Sequence, residues 1–360
     1  MPIAIEVFEG NTADPKTLAA QIAKLKDRFG LARVCLVGDR GMLTSARITD
    51  ELRPAQLDWI SALRAPQIKA LVATGALQLS LFDEQDLVEI ASPDFPGERL
   101  VCCHNPALAD ERTRTRGELL AATEKDLEKI AAATRRPTRP LRGRDKIALR
   151  VGKVINHYKM AKHFTIDITD EAFTFTRNHH DIAAEAALDG IYVLRTSLPT
   201  DTLTDDDIVL RYKSLADVER FFRCLNGELD VRPIRHRLAD RVRAHMFLRM
   251  LSYYLVWHMK QVLAPILFQD NDKPAAADRA NPVAAAQRSD DALAKAARKR
   301  TTEDTPVHSF TSLLADLATI CTNQIQPTHD TPAFTMTTTP TPLQQRAFEL
   351  LGVSHRHGLA

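Results

Sequence analysis

An α/β fold is predicted by three observations made along the first third of the chain. Apolar and polar residues alternate over 3–8, with Ile3, Ile5 and Val7 on one face. A helical pattern follows, with Leu18, Ile22 and Leu25 at three- and four-residue spacing. Val34, Cys35, Leu36 and Val37 then form a nearly continuous apolar run that ends at Gly38, as a strand buried on both faces does. Strand, helix, strand, repeated, describes a sheet covered by helices.

Each element has a local reason. Gly10 and Asn11 turn the chain after the first strand, Asp14 is placed to cap the next helix, Pro15 suits its first position, and Gly30 closes it. Asp39 falls at a strand tip. Thr44 or Ser45 opens a short helical segment, 59–63 reads as a strand and 66–72 as a helix. From 77 the apolar pieces shorten between turn residues, giving strands at 77–82 and 100–103 and a helix at 118–130 with Leu119, Leu120, Leu127 and Ile130 facing inward. The stretches 164–168 and 173–176 alternate like a hairpin, and 190–195 reads as a further strand.

This middle part reads as a mixed insertion. Helical periodicity returns over 206–263, with Leu215, Val218, Phe222 and Leu225 as one buried stripe and Val242, Met246, Met250 and Tyr253 or Tyr254 as another. Few large apolar residues occur in 269–305, which reads as a linker or a loosely packed helix, and a short helix with a Thr/Pro-rich tail follows. The predicted divisions are therefore 1–76, 77–205, 206–268, 269–305 and 306–360.

Composition narrows the function. With 48 basic and 46 acidic residues the net charge is only +2, so affinity for nucleic acid has to come from local clusters. Two clusters exist: 135–162 holds ten Lys or Arg against Asp145 alone, and 211–249 holds ten against five Asp or Glu. Five irregularly spaced cysteines suit a reducing compartment rather than a disulfide framework. No apolar run of about 18 residues and no secretory leader are evident, which predicts a cytoplasmic protein without membrane partners. Cys102, Cys103 and His104 lack the spacing of a zinc site, and His179, His180 and Asp181 read as a polar turn.

Two features carry chemistry. Asp39 follows a buried strand and precedes Arg40 and Gly41, where a carboxylate can face a crevice at the sheet edge or simply form a turn. Glu219, Arg223 and Asn226 lie at offsets of four and seven, so they share a helix face, with Tyr212 and Leu215 on the same stripe one turn earlier. An exposed Glu219–Arg223 pair is the plain alternative.

A resemblance bears on that choice. FEGNTADPKTL followed by VCLVGDRGML, DGIYVLRTSL over 189–198, and YKSLADVERFFRCLNGELDVRPIRH together resemble the DDE insertion-sequence transposases that carry a β-rich insertion and a Tyr, Arg, Glu, Lys signature helix. The likeness covers 2–260, and SFTSLLADLATI at 309–320 is similar to tails in that group. It implies that Asp39 is the second catalytic aspartate and Glu219 the catalytic glutamate, both metal ligands. Leu215 stands at the family's arginine position and Asn226 at its lysine position.

The resemblance further implies a ribonuclease H-like catalytic core lacking its first strands, because the chain opens at what should be the third strand, after the one that bears the first aspartate. Such enzymes cleave and transfer DNA strands with two Mg²⁺ ions held by three carboxylates. Only two are evident here, so an incomplete metal site is expected, in a truncated or inactive copy. The alternative is a non-catalytic DNA-binding or complex-forming protein. DNA, a second copy or an intact transposase are the expected partners. The expected DNA contacts are Tyr212, Arg220, Arg223, Asn226, Arg232, Arg235 and Arg237 near the glutamate, and Arg142, Arg144, Lys146, Arg150 and Lys153 in the basic segment.

Overall fold

A computed structural model describes residues 2, 4–31, 33–270, 282–284, 288–329 and 332–354. The chain forms two compact units. One is Leu18–Lys213 with Asn281–Ala285, and the other is Met1–Thr17 with Ser214–Ala280 and Ala286–Ala360.

The first unit is built on a five-stranded sheet. Its strands are β1 (Cys35–Val37), β2 (Asp58–Ala62), β3 (Leu87–Ile90), β4 (Arg99–His104) and β7 (Ile191–Thr196), in the order β1-β2-β7-β4-β3. The β1–β2 pair is parallel and every other pair antiparallel. Alternation along β2 explains why both faces are covered. Trp59 joins Leu18, Ile22, Ile48 and Leu52 on one side, whereas Ile60 meets Val101, Leu194, Ile208 and Val209 on the other. The first side is roofed by α1 (Leu18–Ala23), α2 (Ser45–Arg47) and the helical turn Ile48–Leu52, and α3 (Ala65–Ala73) packs Ile68 and Leu71 onto Leu100 and Val193. The second side is roofed by α7 (Asp205–Lys213). Each fully buried Ile or Leu contributes roughly 1.5–3 kcal/mol, so the two layers together hold the sheet.

Between β4 and β7 the chain leaves the sheet and builds a separate body from α4 (Pro106–Thr134), α5 (Arg144–Tyr158), the hairpin β5 (Phe164–Ile168) and β6 (Phe173–Arg177), and α6 (His179–Ala186). Its core is Leu120, Leu127, Ile130, Ile147, Val151, Ile155, Phe164 and Phe173. The body begins and ends at one neck. His104 pairs with Ile191, the Asn105 amide donates to the Gly190 carbonyl at 3.0 Å, and Asp189 accepts two hydrogen bonds from Arg116, at 2.9 and 2.6 Å. Gly190 is obligatory there: φ is +76° and a Cβ would stand 2.6 Å from the Asn105 carbonyl oxygen.

Several expectations are corrected by this architecture. Residues 4–9 form no strand, and Ile3 lies outside the described residues, as do the side chains of Asp14 and Pro15. Alternation alone does not make a strand, because a strand's backbone groups need a paired neighbour. The expected strand at 77–82 is a helical turn, Leu79–Phe82, that still delivers Leu79 and Phe82 to the core; β3 lies further on. Part of the span expected as insertion belongs to the main sheet, since β3, β4 and β7 all pair there. The helix expected at 118–130 starts at Pro106, capped by the Asn105 side chain, because its first turns are charged and carry little periodic signal.

The second unit contains α8 (Leu215–Asn226), α9 (Ala239–Val262) and the helices Asp290–Arg298, Phe310–Leu317 and Pro342–Leu351. On α8 the buried residues are Phe221, Cys224 and Leu225, which meet Tyr253 of α9, while Val218 and Phe222 face solvent. The buried stripe is thus rotated from the one that the periodicity predicts. The Thr/Pro-rich tail also forms more than a tail: β8 (Thr322–Ile325) and β9 (Phe334–Thr337) make a hairpin.

Candidate active site and nucleic-acid interface

Asp39 is delivered by the end of β1. The Gly38 amide donates to the Ile60 carbonyl at 3.1 Å, which keeps the strand paired to its last residue. Oδ1 of Asp39 then accepts from the backbone amides of Gly41 at 2.9 Å and Met42 at 2.7 Å. This fixes the carboxylate and leaves Oδ2 without a hydrogen-bond partner among the described residues. A side chain at Gly41 would bring its Cβ to 3.3 Å from Oδ1, so a small residue protects the arrangement. The group is exposed.

On the face of the sheet covered by α7, Tyr212 feels that charge. Its phenol is pushed above the usual tyrosine range, first by burial and then by the negative charge of Asp39, with Arg40 opposing. It therefore stays protonated, a donor suited to a phosphate oxygen. A turn at Ser214 separates Tyr212 from the helix of Glu219, so the stripe expected to unite them is interrupted and Tyr212 belongs instead with Asp39. Lys213, whose charged form is disfavoured by burial, donates to the carbonyls of Pro282, Val283 and Ala284 and ties that short segment to α7.

Glu219 projects from α8 into solvent without an ion pair among the described residues. Arg223 and Asn226 on its face are likewise exposed, and no Glu219–Arg223 salt bridge forms. Arg220 bonds Asp217 at 2.7 Å on the surface. The helix ends at Asn226, so Arg232, Arg235 and Arg237 sit on an exposed irregular segment rather than on a helical face. Asp39 and Glu219 lie in different units. Among the described residues no group of three or more His, Cys, Asp or Glu is placed to hold a metal ion.

The basic segment is the better-defined surface. Lys146, Arg150, Lys153 and His157 stand at offsets of four, seven and eleven on the exposed side of α5, a row about 16 Å long. Ile147, Val151 and Ile155 bury the opposite side. No salt bridge engages the side chains of Lys146, Arg150, Lys153 or Arg144 among the described residues, and the Arg144 backbone amide donates to Oδ1 of Asp170 at 3.0 Å. Arg142 differs, because its guanidinium donates to the Thr134 carbonyl at 2.7 Å and to that of Glu171, bracing α4 against the hairpin loop. The alignment of the α5 row is readable from the sequence once 144–158 is recognised as a helix.

A model of the transposase DDE domain matches residues 1–255. The chain belongs to that family. Comparisons with curated proteins and with solved structures gave no match. The mixed five-stranded sheet of this DDE domain, with its flanking helices, is consistent with a ribonuclease H-like fold, and no helix among the described residues is long and apolar enough to cross a membrane.

Proposed function

We propose that this DDE domain contributes Asp39 and Glu219 to a three-carboxylate site for Mg²⁺-dependent cleavage and transfer of DNA strands. The observation that carries the reading is the family match combined with the setting of Asp39: a strand-tip carboxylate with one oxygen locked by two backbone amides and the other unengaged among the described residues. Mg²⁺ would be held by Asp39 and Glu219, and when bound it supplies charge stabilisation at the attacking and leaving oxygens. The chain's own groups do the rest. The amides of Gly41 and Met42 aim Asp39, the protonated Tyr212 phenol donates to a non-bridging phosphate oxygen, and the α5 row holds the flanking backbone.

In this reading the third carboxylate arrives on a strand that pairs with the open edge of β1, which among the described strands has β2 as its one neighbour. Without it the chain binds DNA and cleaves slowly or not at all, because two acids do not organise two ions. The α5 row, free of acidic partners among the described residues, is what makes binding without cleavage a distinct second reading.

The test follows binding and cleavage of DNA bearing the element's ends, with Mg²⁺. Abolition of any metal-dependent cleavage by Asp39→Ala and by Glu219→Ala is the expected result. Fe²⁺ substituted for Mg²⁺, with peroxide, should cut the polypeptide near both 39 and 219 if they share an ion. Cuts at neither site, together with cleavage that survives both substitutions, would remove these residues from the site.

A further inference from the structure

The family match ends at residue 255, yet the sheet unit is completed by a segment that lies beyond it. Residues 282–284 return to the face of the sheet covered by α7. Val283 is fully buried there, in one cluster with Ile60, Val101, Cys103, Leu194, Ile208 and Val209. Its carbonyl accepts from Asn105 Nδ2 at 3.1 Å and from Lys213 Nζ at 2.9 Å. The same ammonium donates to the Ala284 carbonyl at 2.7 Å and to that of Pro282. An ammonium carries three protons, and three successive carbonyls take them.

This clasp closes beside the candidate site. α7 is fastened at its start by Arg99, whose guanidinium donates to Asp205 at 2.6 Å and to the Leu203 carbonyl at 3.1 Å. Lys213 is the last residue of α7, so 282–284 fastens the other end. Tyr212 precedes Lys213 and packs on the Val283 cluster, as does Val37, two residues before Asp39. Ser214 follows, and α8 with Glu219 begins at Leu215. The chain therefore leaves the sheet unit at Lys213 and comes back to the same side chain at Pro282. A loosened last turn of α7 would carry both Tyr212 and the origin of α8 with it.

We infer that 282–284 is a latch for the candidate site: by clasping Lys213 it holds the end of α7 on the sheet, which sets Tyr212 against Asp39 and fixes where the Glu219 helix departs. Lys213 and Val283 are then positioning residues that act through Tyr212 and α8. The functional weight of the latch rests on the roles proposed above for Asp39, Tyr212 and Glu219, but its geometry is testable without cleavage.

In the full chain labelled with 3-fluorotyrosine, the fluorine resonance of Tyr212 is identified by its loss in Tyr212→Phe. Asp39→Asn should shift that resonance in the otherwise unaltered chain. In Lys213→Met the response to Asp39→Asn should be lost, and the amides of 210–213 should exchange with solvent about tenfold faster or more. Val283→Ala keeps the ammonium and should weaken the response and speed the exchange in the same direction; it carries the test should Lys213→Met fail to fold. Ile68→Val, on the opposite side of the sheet, is the control: it should lower the melting temperature and leave the response of Tyr212 to Asp39→Asn as it was. No response in the unaltered chain, an equal response in every folded variant, or a response lost as fully in Ile68→Val as in Lys213→Met would each overturn the latch. Shifts that follow expectation while DNA cleavage survives Asp39→Ala and Glu219→Ala would keep the latch and remove the catalytic reading instead.

Discussion

Replacing Lys146, Arg150 and Lys153 together by alanine gives the most quantitative check on the DNA surface. The three side chains are exposed, without an acidic partner among the described residues, and aligned on one side of α5, so removing them should leave the core of Ile147, Val151 and Ile155 untouched. Each phosphate neutralised by a cation releases a counterion and steepens the dependence of log K on log salt by about 0.9. Loss of three contacts should therefore flatten the slope by about 2.7. Over a fourfold rise in salt, from roughly 50 to 200 mM, the unaltered chain should lose about 40-fold more affinity than the variant. Fluorescence-anisotropy titrations of a labelled duplex at several salt concentrations measure this directly. Arg142→Ala is the internal contrast: its guanidinium is engaged by the Thr134 and Glu171 carbonyls, so it should lower the melting temperature with little change in slope. An unchanged slope in the triple variant, with its melting temperature preserved, would refute the assignment of this face to phosphate contact.

Three further outcomes are expected. Arg195 and Glu98 form a buried pair with contacts of 2.5 Å, supported by Ser45 and Arg53, so Arg195→Met should cost about 1.5–3 kcal/mol and leave Glu98 with Arg53 as its remaining cationic partner; urea midpoints of Arg195→Met, Glu98→Gln and the double variant would test this, the double being less harmful than the sum. Gly190→Ala should cost at least about 2 kcal/mol, seen as early thermal unfolding, since it combines positive φ with the approach to the Asn105 carbonyl. Burial pushes the thiols of Cys102 and Cys103 up to about 12 from an ordinary 9.0. Both states keep neutral thiols below 9.0, but between there and about 12 only the unfolded chain ionises them, so stability should fall as pH rises through that window; urea midpoints that hold level to about pH 10 would contradict it.

How much is legible in the sequence follows from which signals are local. β1, β2, β4 and the β5–β6 hairpin are recognisable because their apolar runs or alternation match the pleat, and Thr44 indeed accepts from the Arg47 amide as a cap. What the sequence misplaces depends on neighbours. Alternation at 3–8 resembles a strand, yet pairing is a property of two segments. The inward face of α8 is off by one residue, Phe221 for Phe222, because both are aromatic and only the position of α9 decides between them. For the site, Asp39 as a strand-tip carboxylate is readable, whereas its two amide donors and the charge it exerts on Tyr212 depend on backbone geometry and on a helix far along the chain. Arg142 reads as a DNA contact because its charge is visible in the sequence and its carbonyl partners are not.

The shared neck of the α4–α6 body has a consequence for how such a chain can change. Its entry at Asn105 and exit at Gly190 are hydrogen-bonded neighbours on adjacent antiparallel strands, the same geometry that a tight turn would require. A short turn joining His104 to Ile191 would therefore leave the register of β4 and β7 intact, and the entropy of closing a loop grows only slowly with its length. The sheet and the body are thus separable to selection: the basic row on α5 can be lengthened, exchanged or lost without moving the strand that presents Asp39.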